Sequence, residues 1–373
     1  MRLMIEKEAI LKLKRWAKGK KAPPHRVLIY PTNKCNLKCP FCFQRLHPYD
    51  YSKDLPQKRW LALTKELCEM GVDILQISGG GEPLMTPQTT ITMMRIIKSY
   101  GVSGRLVNNG TLWKESYVRD VVRIGWDNVI FSVDGPNPEI NDISRGVPGT
   151  FKKIIKSIKL FNLYKRKFKR EKPFFEFSTV VSIFNYKKLG EIIKLASKLG
   201  IHNVTFEPVF VSNPTVEKLK LTKRQRAWLM EKIPEWKELA ESLGVNTNLD
   251  CLVEVKEIEK TGNLKKKILE KVEKRKTKNK FLNLPCYEPW LWPKIEADGR
   301  VGPCSTIFLE DFVGYEVSVR NRSFEDVWYG EEFNAFRKSI MENKLMDACA
   351  NCVSTHLALN EEIRKKMISE KIE

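Results

Sequence analysis

The sequence predicts an α/β protein built from parallel βαβ units and followed by a small cysteine-bearing domain. Three observations predict it. Between residues 26 and 235 short apolar, strand-like stretches alternate with longer helical patterns, the order that builds parallel sheets. Seven of the nine cysteines fall into two sets, three at residues 35–42 and four at residues 286–352. The length, 373 residues, suffices for one large core and a small second domain.

Taken in order, residues 1–25 read as a basic amphipathic helix stopped by Pro23 and Pro24. Residues 27–30 form the first strand, and Cys35, Cys39 and Cys42 occupy the loop leaving its carboxyl end. Three soft thiolates on one loop can hold three corners of a [4Fe-4S] cube and leave the fourth iron open to a small molecule. A zinc loop or three unrelated thiols would use the same residue type. A helix at 60–70 leads to a strand at 74–77. Gly79, Gly80 and Gly81 then make a turn that brings bare backbone close to a ligand, closed by Glu82 and Pro83. A helix at 91–100 precedes a strand from Arg105 that ends in Asn108-Asn-Gly-Thr111, and a strand at 129–133 runs into Asp134-Gly135. A strand at 175–181, a helix at 189–199 and a strand at 204–209 bring the strand count to six. Residues 236–284 read as a charged, mostly helical connection. Residues 285–356 form the cysteine-bearing domain, in which Asp298-Gly299 turns a hairpin before Cys304. Residues 357–373 read as a surface tail helix, and Cys68 and Cys251 as packed thiols.

The C-x3-C-x2-C spacing, with Phe41 before its last cysteine, resembles the signature of the radical S-adenosylmethionine (radical SAM) enzymes. Residues 79–83 resemble that family's Gly-Gly-Glu-Pro loop, and the stretches at 108–111 and 134–151 resemble its forms with auxiliary clusters. The resemblance implies a partial (β/α)6 barrel over 26–235, with the active site at the strands' carboxyl ends. It implies a [4Fe-4S] cluster on Cys35, Cys39 and Cys42 that cleaves S-adenosylmethionine to a 5′-deoxyadenosyl radical. It places Phe41 near the adenine, the backbone of Gly79, Gly80, Gly81 and Glu82 at the methionine amino group, and Ser132 and Asp134 at the ribose and carboxylate. Ser178 or Thr179 comes from the next strand.

The second set, Cys286, Cys304, Cys349 and Cys352, has seventeen residues between its first pair and forty-four before Cys349. It is similar to the twitch form of the SPASM extension, which implies one auxiliary [4Fe-4S] cluster with four cysteine ligands. Longer SPASM patterns need further cysteines after Cys352, and none occur. Four cysteines including a C-x2-C are also the inventory of a zinc site. The redox character implied for the amino-terminal half favours the cluster.

The formal charge of +21 gathers at 12–26, 152–172 and 265–280, runs that could meet nucleic acid, an anionic membrane surface or a phosphorylated substrate. Their helical spacing and few aromatics instead indicate solvated faces, so an RNA-modifying role is the alternative and not the first reading. No apolar run reaches membrane-spanning length and no secretory signal opens the chain, which with oxygen-sensitive clusters predicts a cytoplasmic protein. The expected activity is that of a radical SAM oxidoreductase or modifying enzyme. Its electron donor would be ferredoxin or flavodoxin, and its substrate a small molecule, a cofactor or a peptide. A short amino-terminal stretch without a leader-binding domain lowers the peptide option. Arg145 and Glu207 are the candidates for substrate contact, and no catalytic base stands out. A non-catalytic electron carrier or scaffold would have no use for the loop at 79–83.

Overall fold

The computed structural model describes residues 7–43, 49–210, 214–252, 264–275, 279–304, 317–346, 349, 352 and 354–370. Parts of the expected amino-terminal helix (1–6), basic run (276–278) and tail (371–373) lie outside these.

Helix α1 (Lys7–Ala17) leads to β1 (Arg26–Ile29), followed by α2 (Gln57–Glu69) and β2 (Ile74–Ile77). The alternation continues through α3 (Pro87–Ser99), β3 (Ser103–Asn108), α4 (Glu115–Arg123) and β4 (Asn128–Ser132). Helices α5 (Pro138–Arg145) and α6 (Thr150–Lys167) precede β5 (Phe174–Val181), and α7 (Leu189–Leu199) precedes β6 (Asn203–Pro208). A short α8 (Pro214–Glu217), the long α9 (Lys223–Ser242) and β7 (Asn246–Thr247) complete the first half. The second holds α10 (Leu264–Glu273), α11 (Glu288–Leu291), the hairpin β8 (Lys294–Ile295) and β9 (Val301–Gly302), then α12 (Phe324–Trp328), α13 (Glu331–Met341) and α14 (Ser354–Ser369).

All nine strands form one sheet in the order β7-β6-β5-β4-β3-β2-β1-β8-β9. Strands β1 to β6 pair in parallel, each with the next, and β7 and β9 leave the sheet open at its two edges, so the barrel is partial. All six expected strands are present. Several features differ from the sequence reading. A seventh strand adds to β6 through Asn203↔Asn246 and Val204↔Thr247, inside the stretch read as helical connection. The expected hairpin forms, with Gly299 at φ +89°, yet it joins the barrel sheet: β8 pairs in parallel with β1 at Leu28↔Lys294 and Ile29↔Ile295. Helix α9 runs through residue 235, capped by Thr222 and Gln225.

Strand alternation divides the side chains between two faces. Val27, Ile29, Leu75, Ile77, Phe131, Phe175, Phe177 and Phe206 are buried in the core against the helices. Edge-on ring contacts join Phe131, Phe161 and Phe175 there. The other face looks into the barrel lumen, where polar residues meet: Glu176 accepts hydrogen bonds from Arg105 (3.0 Å), Asn128 (2.6 Å) and Asn203 (3.3 Å).

Helix α1 ends at Ala17, short of the prolines, because the chain turns at Gly19 with φ +69°. It is no loose extension. Ala9, Ile10 and Leu13 share a second core with Tyr287, Trp290, Phe336, Ile363 and Met367. Lys12 reaches Asp73 at 2.7 Å and the Pro24 carbonyl at 3.0 Å, and His25 completes the link to Asp73 at 2.8 Å. The tail helix likewise turns Ile363 and Met367 wholly inward, so it is a core element with one wet face.

Candidate active site and second cysteine centre

The three-cysteine loop leaves β1 at the carboxyl edge of the sheet and is clamped by three neighbouring loops. The first is the glycine turn after β2. Gly81 N–H donates to the Thr32 carbonyl at 3.0 Å and Glu82 N–H to that of Lys34 at 2.8 Å. A Cβ on Gly81 would lie 2.1 Å from the Lys34 oxygen, so glycine is required there by space. Glu82 is 2% exposed and its carboxylate accepts from Leu84 N–H (3.0 Å) and Asn109 N–H (2.6 Å). Burial pushes its pKa up to about 7 against those two hydrogen bonds. The side chain thus ties the glycine turn to the loop after β3.

That second loop holds Asn36, the residue after Cys35. Asn109 Nδ2 donates to Asn36 Oδ1 at 2.9 Å, and Asn36 Nδ2 donates to Thr111 Oγ1 at 2.9 Å. Sequence reading marked the stretch at 108–111 but assigned its side chains no task.

The third clamp is the end of α5. Lys38 N–H and the Cys39 thiol both donate to the Arg145 carbonyl, at 3.2 and 3.6 Å. Gly146 ends α5 at φ +69°, and a Cβ there would lie 2.1 Å from the Lys38 oxygen. The Arg145 guanidinium lies 5.7 Å over the Phe41 ring and 2.8 Å from Asp134. Its buried Nε has no hydrogen-bond partner among the described residues. Burial pushes the Cys39 thiol up to about 11, with the Arg145 charge pulling the other way. A ligated metal removes those protons.

Asp134 is fully buried and its carboxylate is used up by Arg145, by Ser144 Oγ at 2.9 Å and by Val180 N–H at 2.8 Å. Arg145 links it to the cysteine loop. Ser132 and Ser178 are paired across β4 and β5 on the lumen face, in line with Thr205 of β6. Thr179 points the other way: it is buried on the helix side and donates to the Val133 carbonyl at 2.7 Å. Glu207 lies on the lumen face one step nearer the mouth than Thr205. Phe41 packs on the patch formed by Val209, Val216 and Leu219, beside the end of β6.

The second set of thiols meets around a separate cavity, whose wall includes Cys286, Cys304, Cys349, Cys352, Glu288 and Asn360. Residues 305–316 and 350–351, between these cysteines, lie outside the described residues. Burial raises the Cys286 pKa well above the ordinary thiol range, and Glu288 adds to it. Among the described residues no three His, Cys, Asp or Glu side chains converge on one point at metal-ligand spacing. The two remaining cysteines stay outside both centres: Cys68 is buried in the barrel core and pushed up to about 12 by burial, and Cys251 is half-buried.

An open, mostly parallel barrel with three thiols on the loop leaving β1, and four more around a second cavity, defines an α/β-barrel protein with two thiol centres. The radical SAM superfamily model matches residues 29–170, and an iron-sulfur cluster-binding domain model, SPASM, matches residues 286–353. The chain belongs to the radical SAM superfamily, in the branch that carries a SPASM domain. It is 25% identical over 346 residues to a tungsten-containing aldehyde ferredoxin oxidoreductase cofactor-modifying protein of Pyrococcus furiosus, a match covering 86% of this chain and 85% of that one. It is 30% identical over 169 residues to an AdoMet-dependent heme synthase of Oleidesulfovibrio alaskensis, covering 45% of this chain and 41% of the synthase. Among solved structures it resembles Streptococcus suis SuiB bound to S-adenosylmethionine, with TM-score 0.60 and 18% identity over 88% of this chain and 71% of SuiB. It also resembles anSMEcpe with bound AdoMet and a peptide, with TM-score 0.60 and 16% identity over 94% and 98%. At such identities these are likenesses of fold. No described helix is long and apolar enough to cross a membrane.

Proposed function

We propose that this protein is a radical SAM maturase that modifies a small polar molecule or cofactor, with one [4Fe-4S] cluster on Cys35, Cys39 and Cys42 and a second on Cys286, Cys304, Cys349 and Cys352. When bound, S-adenosylmethionine and the first cluster would supply a 5′-deoxyadenosyl radical that removes hydrogen from the substrate. The observation that carries the reading is the triple clamp on the cysteine loop, where the glycine turn, the loop after β3 and the end of α5 hold residues 32–39 beside one buried guanidinium.

The chain's own residues set the conditions for that chemistry. Arg145, with its unpartnered Nε, fits an anionic group such as the methionine carboxylate, so its place is with the cofactor. Asp134 keeps the guanidinium oriented and charged. The Gly79–Gly81 backbone offers hydrogen-bonding groups to the methionine amino group. Phe41 and the patch beside β6 shield the adenine side from water. Ser132 and Ser178 face the lumen below, which supports a role at the ribose or the substrate, and Glu207 shares that face, which supports contact with the substrate. The lumen floor of Arg105, Asn128, Glu176 and Asn203 favours a polar substrate, and the relative matched along nearly its whole length modifies a cofactor. Ferredoxin or flavodoxin would deliver the electron.

Anaerobic reconstitution tests the reading: the chain should hold about eight irons, from two cubane clusters, and yield 5′-deoxyadenosine under reduction. Changing Cys35, Cys39 and Cys42 to alanine should halve the iron and abolish cleavage. Changing the other four should halve the iron and leave some cleavage. Stoichiometric zinc in freshly purified protein, with at most about four irons after reconstitution, would defeat the second-cluster assignment.

A further inference from the structure

Strand β8 places two charged residues where neither centre's cysteines account for them. Because Ile29 and Ile295 both point into the helix-side core, their neighbours Leu28, Tyr30, Lys294 and Glu296 share the lumen face. Tyr30 lies on the segment that feeds the Cys35 loop, and its N–H donates to the Ile295 carbonyl at 2.9 Å. Across the hairpin Lys294 pairs with Gly302, two residues before Cys304. Lys294 therefore stands where the lumen wall meets the strand that leads to the first cysteine loop and the hairpin that leads to Cys304.

The pair is buried. Lys294 Nζ lies 2.9 Å from Glu296 Oε1, with the side chains 2% and 8% exposed, and the ammonium sits 6.0 Å from the centre of the Tyr30 ring. Against burial, Glu296 and Tyr30 raise the lysine's pKa, and the Cys304 thiol acts on both Lys294 and Tyr30. Apolar residues at these positions would avoid the cost of dehydrating two charges, so stability alone does not explain the pair.

We propose that Lys294 sets the driving force of the second centre: its ammonium, fixed by Glu296 beside the Tyr30 ring and across the hairpin from Gly302, two residues before Cys304, raises the reduction potential of the cluster that Cys304 helps to hold. One electron added to a cluster adds one negative charge. A fixed cation in a low-dielectric wall stabilises that reduced form, and local charge is among the factors that set iron-sulfur potentials. Lys294 thus biases the second centre toward accepting an electron from the lumen side. The inference rests on the four-cysteine cluster assigned above.

Redox titration of the reconstituted full chain, followed by electron paramagnetic resonance, tests it. In K294M the second centre should become harder to reduce by about tenfold in its reduced-to-oxidised ratio at fixed potential, ~59 mV for a one-electron couple. K294R should restore the wild-type value, and the first cluster should not move. E296Q, which removes the neighbouring negative charge, should shift the second centre the opposite way. Coincident potentials for K294M and wild type, each with two clusters, would overturn the inference, as would a K294R shift as large as that of K294M. If K294M fails to hold the second cluster, E296Q decides alone, and an unshifted E296Q potential overturns the inference. Iron content that shows only one cluster in the wild type would instead overturn the four-cysteine assignment beneath it.

Discussion

At Gly81 a single methyl group would meet backbone atoms of Asn33 and Lys34 at 2.5 and 2.1 Å. Neither partner can rotate away, so one of the two loops must shift. Gly79 and Gly81 both have φ outside the left-handed region, and the constraint is space: a Cβ on Gly79 would meet Gly81 within the turn, and one on Gly81 would meet the cysteine loop. Gly81→Ala should therefore lower stability by about 1–3 kcal/mol, as overpacking does, and displace the thiol at Cys35. The expected outcome is a folded protein that keeps its second cluster, with first-cluster iron and S-adenosylmethionine binding strongly reduced in an anaerobic titration. Wild-type affinity in that variant would show that the turn does not set the loop. Glu82 belongs to the same argument: its carboxylate accepts from two backbone N–H groups and connects the loops.

Among the elements, the two terminal helices are the ones whose role changed most between pattern and packing. Each carries lysines in a solvated-looking spacing, yet Ile10 of α1 is 1% exposed and Met367 of α14 is fully buried in the same second core that contains Cys304. That core holds the second cysteine cavity in place from below. Ile10→Ala and Met367→Ala should each cost about 2–5 kcal/mol, the usual range for emptying a fully buried aliphatic position. Thermal denaturation of the two variants checks this. An unchanged midpoint in Met367→Ala would mean that α14 adds nothing to the core. Strand β8 makes the same point at the opposite edge, since four backbone residues paired at the β1 edge couple the cysteine-bearing half to the barrel.

For the whole molecule, the net charge of +21 is distributed in ways that argue against a nucleic-acid face. Lys12 is buried on Asp73, and Lys172 and Lys98 share a single counter-charge, Asp127, each at 2.6 Å. On α6 the lysines at 152, 153, 156 and 159 are exposed, while the aromatic rings of Phe161 and Tyr164 are buried and unavailable to stack on bases. Binding to bulk tRNA should accordingly be weak and fall steeply with salt through counterion release. Reversing those four charges should leave 5′-deoxyadenosine formation intact. Tight, salt-resistant binding of one tRNA species, lost on charge reversal, would establish RNA as the substrate.

The residues legible in the sequence are those whose chemistry depends on spacing along the chain. Cys35, Cys39 and Cys42 share one short loop, and the glycines at 79–81 lie at one strand end. The six strands announce themselves by apolar runs between helical patterns, because burial of a repeating face is a local property of sequence. Tertiary structure decided whatever depended on which loops meet. Strand parity sets Ser178 on the lumen face and Thr179 on the helix side, and Asp134 is engaged by Arg145 from the end of α5. The partnership of Lys294 with Tyr30 and Cys304 arose because a two-residue strand from the far end of the chain pairs with β1. Sequence by itself determined the two sets of thiols and the alternating fold. Only the packed chain decided what surrounds them, because contacts between distant segments leave no periodic mark on either one.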